Sequence, residues 1–135
     1  MISKVKVKLN AGTGSLGTGC EEYGKYAFRH DWIRLRGNPS QMVLMDVFGE
    51  SMEPQIQDGD TVLIDQSQTE VITGRIYAVG IDEEVMVKYI EWKPGRMVLR
   101  SANERWDDIE VDMRGDQAEL VRIIGRVIWW CREAR

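Results

Sequence analysis

Residues 76–101, IYAVGIDEEVMVKYIEWKPGRMVLRS, determine the fold class because they carry three apolar runs, at Ile76–Ile81, Val85–Trp92 and Met97–Ser101. Each run is rich in valine, isoleucine, leucine or aromatic residues, which is typical of β-strands. The gaps hold turn residues such as Lys93-Pro94-Gly95 and are too short for the helical crossover that joins parallel strands. This stretch therefore predicts consecutive antiparallel strands.

The same pattern extends in both directions along the chain. Further strands are predicted at residues 2–9, where valines alternate with lysines, and at the apolar runs Met42–Phe48, Thr61–Asp65 and Arg122–Trp130. The apolar spacing between Glu21 and Leu35 is partly helical, and a short helix is predicted at Trp32–Arg36 with Asp31 as its cap. We expect a mainly β fold of twisted, mostly antiparallel sheets with a short N-terminal helix.

The composition excludes several classes of function. The chain has 135 residues, the size of one domain, and its 18 lysines and arginines against 22 aspartates and glutamates give a net charge of −4. Direct nucleic-acid binding needs a basic surface and is not expected. His30, Cys20 and Cys131 are far apart in sequence, so no metal site is predicted, and this cysteine usage favours a reducing cytoplasm. No apolar run reaches the roughly 18 residues of a membrane span.

A glycine-rich segment follows the first predicted strand. Residues 10–19 contain four glycines and no charge, which predicts a flexible connection. Gly12-x-Gly14-x-x-Gly17 matches the dinucleotide-binding pattern, but Gly19 and Gly24 interrupt the helix that would have to hold the pyrophosphate. No cofactor is predicted.

A second segment of interest is Gly49-Glu50-Ser51-Met52-Glu53-Pro54, which is followed by Asp58-Gly59-Asp60. A turn between two strands accounts for all of these residue types. A glycine close to a serine also permits a sharp bend that presents the hydroxyl beside free N–H groups, as a nucleophile with an oxyanion hole requires. Both interpretations stay open on this segment alone.

Two residues compete as the base for such a serine. Period-2 geometry places Lys88 on one face of its strand with Met86 and Ile90. An exposed lysine on an edge strand is the commoner case, but a lysine in apolar surroundings has a lowered pKa and can act as a general base. The alternative is a Ser-His-Asp triad with His30, which lies beside a short polar helix where a solvated histidine is expected. Because the chain has one histidine, Lys88 is favoured by elimination.

In combination, these residues resemble the C-terminal domain of LexA-like repressors, the Ser-Lys self-cleaving peptidases that include LexA, lambda-type phage repressors and UmuD. Gly49–Pro54 is similar to the family's G-[DE]-S-M-x-P nucleophile motif, and Asp58–Asp65 to the strand that follows it. Val87-Lys88 is similar to the pair that carries the base, and Lys88 follows Ser51 by the 88 − 51 = 37 residues that suit the family. Leu99–Asn103 is similar to its L-x-S-x-N segment, and Ile124–Trp129 to its closing strand.

The resemblance covers about residues 10–132 and implies the fold of the LexA C-terminal and signal-peptidase type. It implies that residues 1–20 form a strand and a flexible cleavage-site segment, and that residues 21–135 form the peptidase and dimerisation domain.

The same resemblance implies a set of site residues. Ser51 would be the nucleophile and Lys88 the base, with the N–H groups of Glu50 and Ser51 as oxyanion donors. Ala11-Gly12 resembles the scissile bond, although Asn10 and Thr13 depart from the residues that usually flank it.

Partners and setting are also implied by resemblance alone. We expect a homodimer, cleavage stimulated by RecA filaments on single-stranded DNA in an SOS-type response, and a cytoplasmic protein of a bacterium or of its phage. Operator DNA would be contacted only through an upstream helix-turn-helix domain, for which 135 residues leave no room. A phage-type repressor is favoured; a dimerisation module that does not cleave and a UmuD-like mutagenesis protein are the alternatives. Type I signal peptidases share the Ser-Lys logic but need a membrane anchor.

Overall fold

The computed structural model describes residues 2–10 and 21–134, with side-chain surroundings for 27–134. The described residues form one short α-helix, α1 (His30–Arg34), and nine β-strands. In chain order the strands are β1 (Ile2–Asn10), β2 (Glu21–Tyr26), β3 (Met42–Phe48), β4 (Thr61–Asp65), β5 (Ile76–Ile81), β6 (Glu84–Lys93), β7 (Arg96–Arg100), β8 (Ile109–Asp112) and β9 (Val121–Cys131). Short 3₁₀ helices at Pro39–Gln41 and Asp116–Leu120 precede β3 and β9.

The strands form one sheet in the order β2-β1-β3-β4-β9-β5-β6-β7-β8. All neighbouring pairs are antiparallel except β1 and β3, which run parallel. The prediction of a mainly β, mostly antiparallel fold with a short N-terminal helix is therefore confirmed. The strands β3, β4 and β5 begin and end at the predicted residues, and β1, β6, β7 and β9 lie within one residue of the prediction at each end.

Two strands were not predicted from the sequence. The partly helical spacing expected from Glu21 onward is wrong for Glu21–Tyr26, because this segment pairs antiparallel with β1 and obtains its backbone hydrogen bonds there. The strand β8 pairs with β7 at the edge of the sheet, and Val111 is its one buried residue. Because its other side chains are exposed, β8 lacks the apolar run that identified the remaining strands.

The helix α1 also begins earlier than expected. It starts at His30 rather than Trp32, and Arg29 takes the capping position without a side-chain cap. The carboxylate of Asp31, predicted as the cap, instead lies inside the first turn and accepts the N–H of Trp32 at 3.0 Å. Ile33 is the buried residue of this helix.

Within residues 27–134, the buried apolar side chains form three clusters. One lies around β5–β8, and a smaller one packs Ile33 of α1 against Met42, Leu44 and Leu63. The largest joins β3, β4, β5, β6 and β9. It also contains Met52 and Ile56, which belong to the loop between β3 and β4 and are fully buried. Two core residues therefore fix this loop to the body of the domain.

Candidate active site

The loop between β3 and β4 carries Ser51 and is closed at its base by backbone hydrogen bonds. The N–H of Val47 donates to the carbonyl of Asp60, and the N–H of Gly59 donates to the carbonyl of Val47, both at 2.7 Å. Gly49 has φ 93°, a left-handed conformation that glycine adopts without strain. Its N–H donates to the Asp58 carboxylate at 2.7 Å, so the chain turns sharply just before Ser51.

Asp60 anchors the end of the same loop. Its carboxylate is fully buried, accepts the N–H of Gln57 at 2.8 Å, and forms a two-point ion pair with Arg132 at 2.7 and 2.8 Å. A bidentate pair fixes direction as well as distance. The residues Asp58-Gly59-Asp60, which the sequence also allowed as a simple turn, therefore hold the loop that presents Ser51.

Lys88 lies in the middle of β6, opposite Tyr77 of β5. Its side chain is 2% exposed, and Ser51 is 1% exposed. The distance between Lys88 Nζ and Ser51 Oγ is 3.1 Å. The structure thus brings together two residues that are far apart in sequence and buries both.

Burial changes the acidity of the lysine. Among the described residues, no carboxylate forms an ion pair with Lys88. Desolvation disfavours the charged ammonium and lowers the pKa of Lys88 from 10.5 to about 8. At pH 7 a minority of this amine is therefore neutral and can accept a proton, a far larger share than for a lysine whose pKa is 10.5.

The backbone N–H groups of Glu50 and Ser51 lie in the bend beside the serine hydroxyl. Within the described part of the chain, neither N–H donates a hydrogen bond. Both N–H groups therefore have no acceptor among these residues.

A model of the Peptidase S24-like family matches residues 4–128. The chain belongs to the Peptidase S24-like family. It is 34% identical over 128 residues to the HTH-type transcriptional regulator PrtR of Pseudomonas aeruginosa, with 93% of this chain and 50% of the relative covered. It is 41% identical over 116 residues to the repressor protein CI of Enterobacteria phage phi80, with 82% of this chain and 47% of the relative covered. It is 32% identical over 91 residues to the LexA repressor of Vibrio vulnificus, with 67% of this chain and 44% of the relative covered.

This Peptidase S24-like chain spans about half the length of the relatives it matches. The family membership confirms the resemblance drawn from the motifs around Ser51 and Lys88. No helix in the described ranges is long and apolar enough to cross a membrane.

His30, the alternative base, lies exposed at the start of α1 and is 3.3 Å from the Arg34 guanidinium. Among the described residues, the side chain that hydrogen-bonds Ser51 Oγ is Lys88. This geometry gives no support to a Ser-His-Asp triad in this S24-like domain. Ala11 and Gly12, the expected cleavage site, lie outside the described residues, as does the glycine pattern from Gly12 to Gly17.

Two residues without a predicted role, Ser101 and Asn103, contact Lys88 and the backbone of Glu50 and Ser51. Ser101 Oγ lies 2.7 Å from Lys88 Nζ. Asn103 donates its backbone N–H to the carbonyl of Ser51 at 2.9 Å and its side-chain amide to the carbonyl of Glu50 at 3.0 Å. The signal that could have found them is the similarity of Leu99–Asn103 to the family's L-x-S-x-N segment.

An open groove of about 290 Å³ adjoins Ser101. Its lining residues are Thr73, Gly74, Tyr89, Ile90, Glu91, Arg100 and Ser101. Tyr89, the neighbour of Lys88 in β6, hydrogen-bonds Gln55 of the loop that carries Ser51.

Proposed function

We propose that the chain is a serine peptidase that cleaves its own backbone, with Ser51 as nucleophile and Lys88 as general base. The observation that carries the proposal is the buried Lys88 amine 3.1 Å from the Ser51 hydroxyl, with no carboxylate paired to it among the described residues. A neutral amine at hydrogen-bond distance can activate a serine that water alone leaves unreactive. Membership of the Peptidase S24-like family supports the same chemistry.

The reaction proceeds in two halves. Lys88 takes the hydroxyl proton as Ser51 Oγ bonds to the substrate carbonyl carbon, and the N–H groups of Glu50 and Ser51 stabilise the oxyanion. The C–N bond then breaks as the Lys88 ammonium returns that proton to the leaving amine. Lys88 next deprotonates a water molecule as its oxygen bonds to the ester carbon; the C–Oγ bond then breaks as the Lys88 ammonium returns the proton to Ser51 Oγ, and the released carboxylic acid loses its proton to solvent.

The bond proposed as substrate is Ala11-Gly12. Parallel pairing of β1 with β3 places the carboxyl ends of both strands at the same edge of the sheet, where Asn10 is paired with Phe48. From this edge β3 leads into Gly49–Ser51, and the residue that follows Asn10 is Ala11. The uncharged residues 10–19 suit an extended peptide beside the groove next to Ser101.

The proposed biological setting is the C-terminal half of a phage-type transcriptional repressor in the bacterial cytoplasm. Three relatives are named as a transcriptional regulator or repressor, and this chain spans about half of each. In that setting the DNA contact belongs to a helix-turn-helix domain outside these residues, and RecA filaments on single-stranded DNA stimulate the cleavage. Cleavage would then separate DNA binding from dimerisation.

A second candidate function is dimerisation without cleavage. Trp130, near the end of β9, is 38% exposed, and tryptophan is enriched in protein–protein interfaces. The two functions are compatible in one domain. Sedimentation of the chain addresses dimerisation, and a cleavage assay addresses the chemistry.

The cleavage assay uses the full chain incubated at pH 9 to 10, where the Lys88 amine is mostly neutral. We expect a product whose new N-terminus is Gly12, identified by mass spectrometry. Ser51→Ala and Lys88→Ala should stay intact, because one lacks the nucleophile and the other the base. Ser40→Ala, which removes an exposed hydroxyl elsewhere, is the matched control and should cleave like wild type. A wild-type chain that stays intact, as both site variants do, would contradict the proposal.

A further inference from the structure

The segment Ser101–Asn103 follows β7 and contacts both members of the proposed pair. Ser101 reaches the base, since its Oγ lies 2.7 Å from Lys88 Nζ, closer than the 3.1 Å between that amine and Ser51. Asn103 reaches the nucleophile's backbone, with bonds of 2.9 Å to the Ser51 carbonyl and 3.0 Å to the Glu50 carbonyl. One short piece of chain therefore links β6 to the loop between β3 and β4.

The contact with Ser101 restricts rotation of the Lys88 amine. A neutral amine has two N–H groups and one lone pair, and it accepts a proton only if the lone pair faces the donor. When Ser101 Oγ accepts one of the N–H groups, that hydrogen bond restricts rotation about the Cε–Nζ bond. Ser51 Oγ remains within hydrogen-bond distance of the amine. Without Ser101, an amine in this buried site has several orientations, and only some direct the lone pair at Ser51.

The contacts of Asn103 orient a peptide unit. The carbonyl of Glu50 and the N–H of Ser51 belong to the same planar trans peptide and point in opposite directions. By holding the Glu50 carbonyl, the Asn103 amide directs the Ser51 N–H to the other side of the chain. The orientation of that amide is itself fixed, because its Oδ1 accepts the N–H of Arg105 at 3.1 Å.

We propose that Ser101 and Asn103 are positioning residues for the self-cleavage reaction: Ser101 orients the Lys88 amine, and Asn103 orients the Ser51 backbone together with its oxyanion N–H. This proposal rests on the proposed function, and it adds a requirement beyond the Ser-Lys pair. Misplacement of reacting groups by about 1 Å can cost on the order of 100-fold in rate, so both contacts should be visible in kinetics.

The first test compares self-cleavage rates of Ser101→Ala, Ser101→Thr and the exposed control Ser40→Ala in the full chain between pH 6 and 10. We expect Ser101→Ala to lower the plateau rate by about 10- to 100-fold. The pH midpoint should also move down, because the ammonium loses an acceptor that stabilises its charged form. Ser101→Thr retains the hydroxyl and should restore both values. A lower rate with a higher midpoint would indicate hydration of the site instead and would overturn the role of Ser101.

The second test uses Asn103→Asp, which keeps the backbone N–H to Ser51 and the Oδ1 acceptor for Arg105 but removes the donor to Glu50. We expect a lower plateau rate, because the oxyanion N–H is no longer held, and a midpoint no lower than in the wild type, because the added carboxylate charge favours the Lys88 ammonium. Asn103→Ala should be at least as slow. A wild-type rate in Asn103→Asp would overturn the role of Asn103.

A readout that does not depend on cleavage separates the two proposals. The Lys88 amine is titrated by NMR with labelled lysine, and Ser51 is labelled with a fluorophosphonate probe. If the wild type does not cleave, but Ser101→Ala shifts the Lys88 titration and both variants slow the labelling of Ser51, the proposed function fails and positioning stands. If the wild type cleaves while Ser101→Ala and Asn103→Asp match it in rate and titration, positioning is overturned and the proposed function stands.

Discussion

Desolvation of the Lys88 ammonium costs stability, and it also makes the amine a better base at neutral pH. An amine without an ion-pair partner among the described residues is driven toward its neutral form by desolvation, which lowers the pKa of Lys88 to about 8. The neighbouring hydroxyls of Ser51 and Ser101 satisfy the amine by hydrogen bonds without adding charge. A carboxylate in their place would hold the lysine protonated and remove its basicity.

The acidity of Lys88 determines the expected pH dependence of self-cleavage. Below about pH 8 the reactive neutral form is a minority, so we expect the rate to rise about tenfold per pH unit and to level off above the pKa. First-order rate constants measured between pH 6 and 10 test this. Ser51→Ala, incubated at each pH, controls for hydrolysis that does not use the site. A midpoint near the ordinary lysine value of 10.5 would contradict a desolvated base.

The same shift in pKa predicts a stability effect. Between about pH 8 and 10.5 the unfolded chain binds a proton at Lys88 that the folded chain does not, so the free energy of unfolding should rise with pH there. At pH 7 both states are charged, and the folded state bears the cost of burying the ammonium. We expect Lys88→Met to raise the unfolding free energy at pH 7 by roughly 1–3 kcal/mol while abolishing cleavage. Urea unfolding at pH 7 and pH 11 tests this, and a variant less stable than wild type at pH 7 would contradict it.

At the scale of elements, the loop between β3 and β4 is held from two sides. Met52 and Ile56 insert into the largest apolar cluster, and Asp60 ties the end of the loop to Arg132 beyond β9. Hydrophobic burial is non-directional, whereas the two-point ion pair is directional. Together they give Ser51 a fixed position on a segment that has no regular secondary structure of its own.

Arg132→Ala tests the directional part of this support. The variant leaves the fully buried Asp60 carboxylate without its cation, and we expect it to lower the unfolding free energy by more than the control variant does. The matched control is Arg96→Ala, whose ion pair with Glu110 is about half exposed on both sides and should contribute at most about 1 kcal/mol. Equal losses in the two variants, measured by urea unfolding, would show that the Asp60 pair does not hold the loop.

How far the sequence predicts these elements depends on burial. The strands β4 and β5 are buried along almost their whole length and β3 at four of its seven residues, so their apolar runs marked both ends. The strand β8 was missed because it lies at the edge of the sheet and has one buried residue. The strand β2 was missed because its own sequence is not an apolar run, and it forms a strand by pairing with β1. The local pattern of apolar residues indicates which residues are buried, but it does not indicate which strand a segment pairs with.

The candidate active site was also predicted only in part from the sequence. Ser51 and Lys88 were predicted as a pair from a motif and an interval, and their 3.1 Å contact agrees with that prediction, while their catalytic role stays a proposal. Ser101 contacts Lys88, 13 residues earlier, and Asn103 contacts Glu50, 53 residues earlier, so local periodicity could not predict these contacts. The cleavage bond Ala11-Gly12 stays a prediction.

At the scale of the whole molecule, charge and length bear on how the domain would operate. A net charge of −4 gives the chain no overall attraction to the DNA backbone, and the related regulators and repressors are about twice as long as the matched region. In the proposed repressor this domain would therefore act on DNA indirectly, by pairing two copies. Pairing needs an apolar surface, and Trp130 on β9 is the candidate.

Trp130→Asp tests whether β9 carries a dimer contact. The domain is expected to sediment as a dimer in the wild type and as a monomer in the variant, because a charge placed in an apolar interface loses hydration without gaining a partner. Trp92→Asp changes a tryptophan of similar exposure, 47% against 38%, on β6, which β5 separates from β9 in the sheet, and should remain dimeric. If both variants were monomeric, or if both remained dimeric, the dimer contact would not be specific to Trp130. If the wild type were monomeric at every concentration, the domain would have to act without pairing, and self-cleavage would be the function left to test.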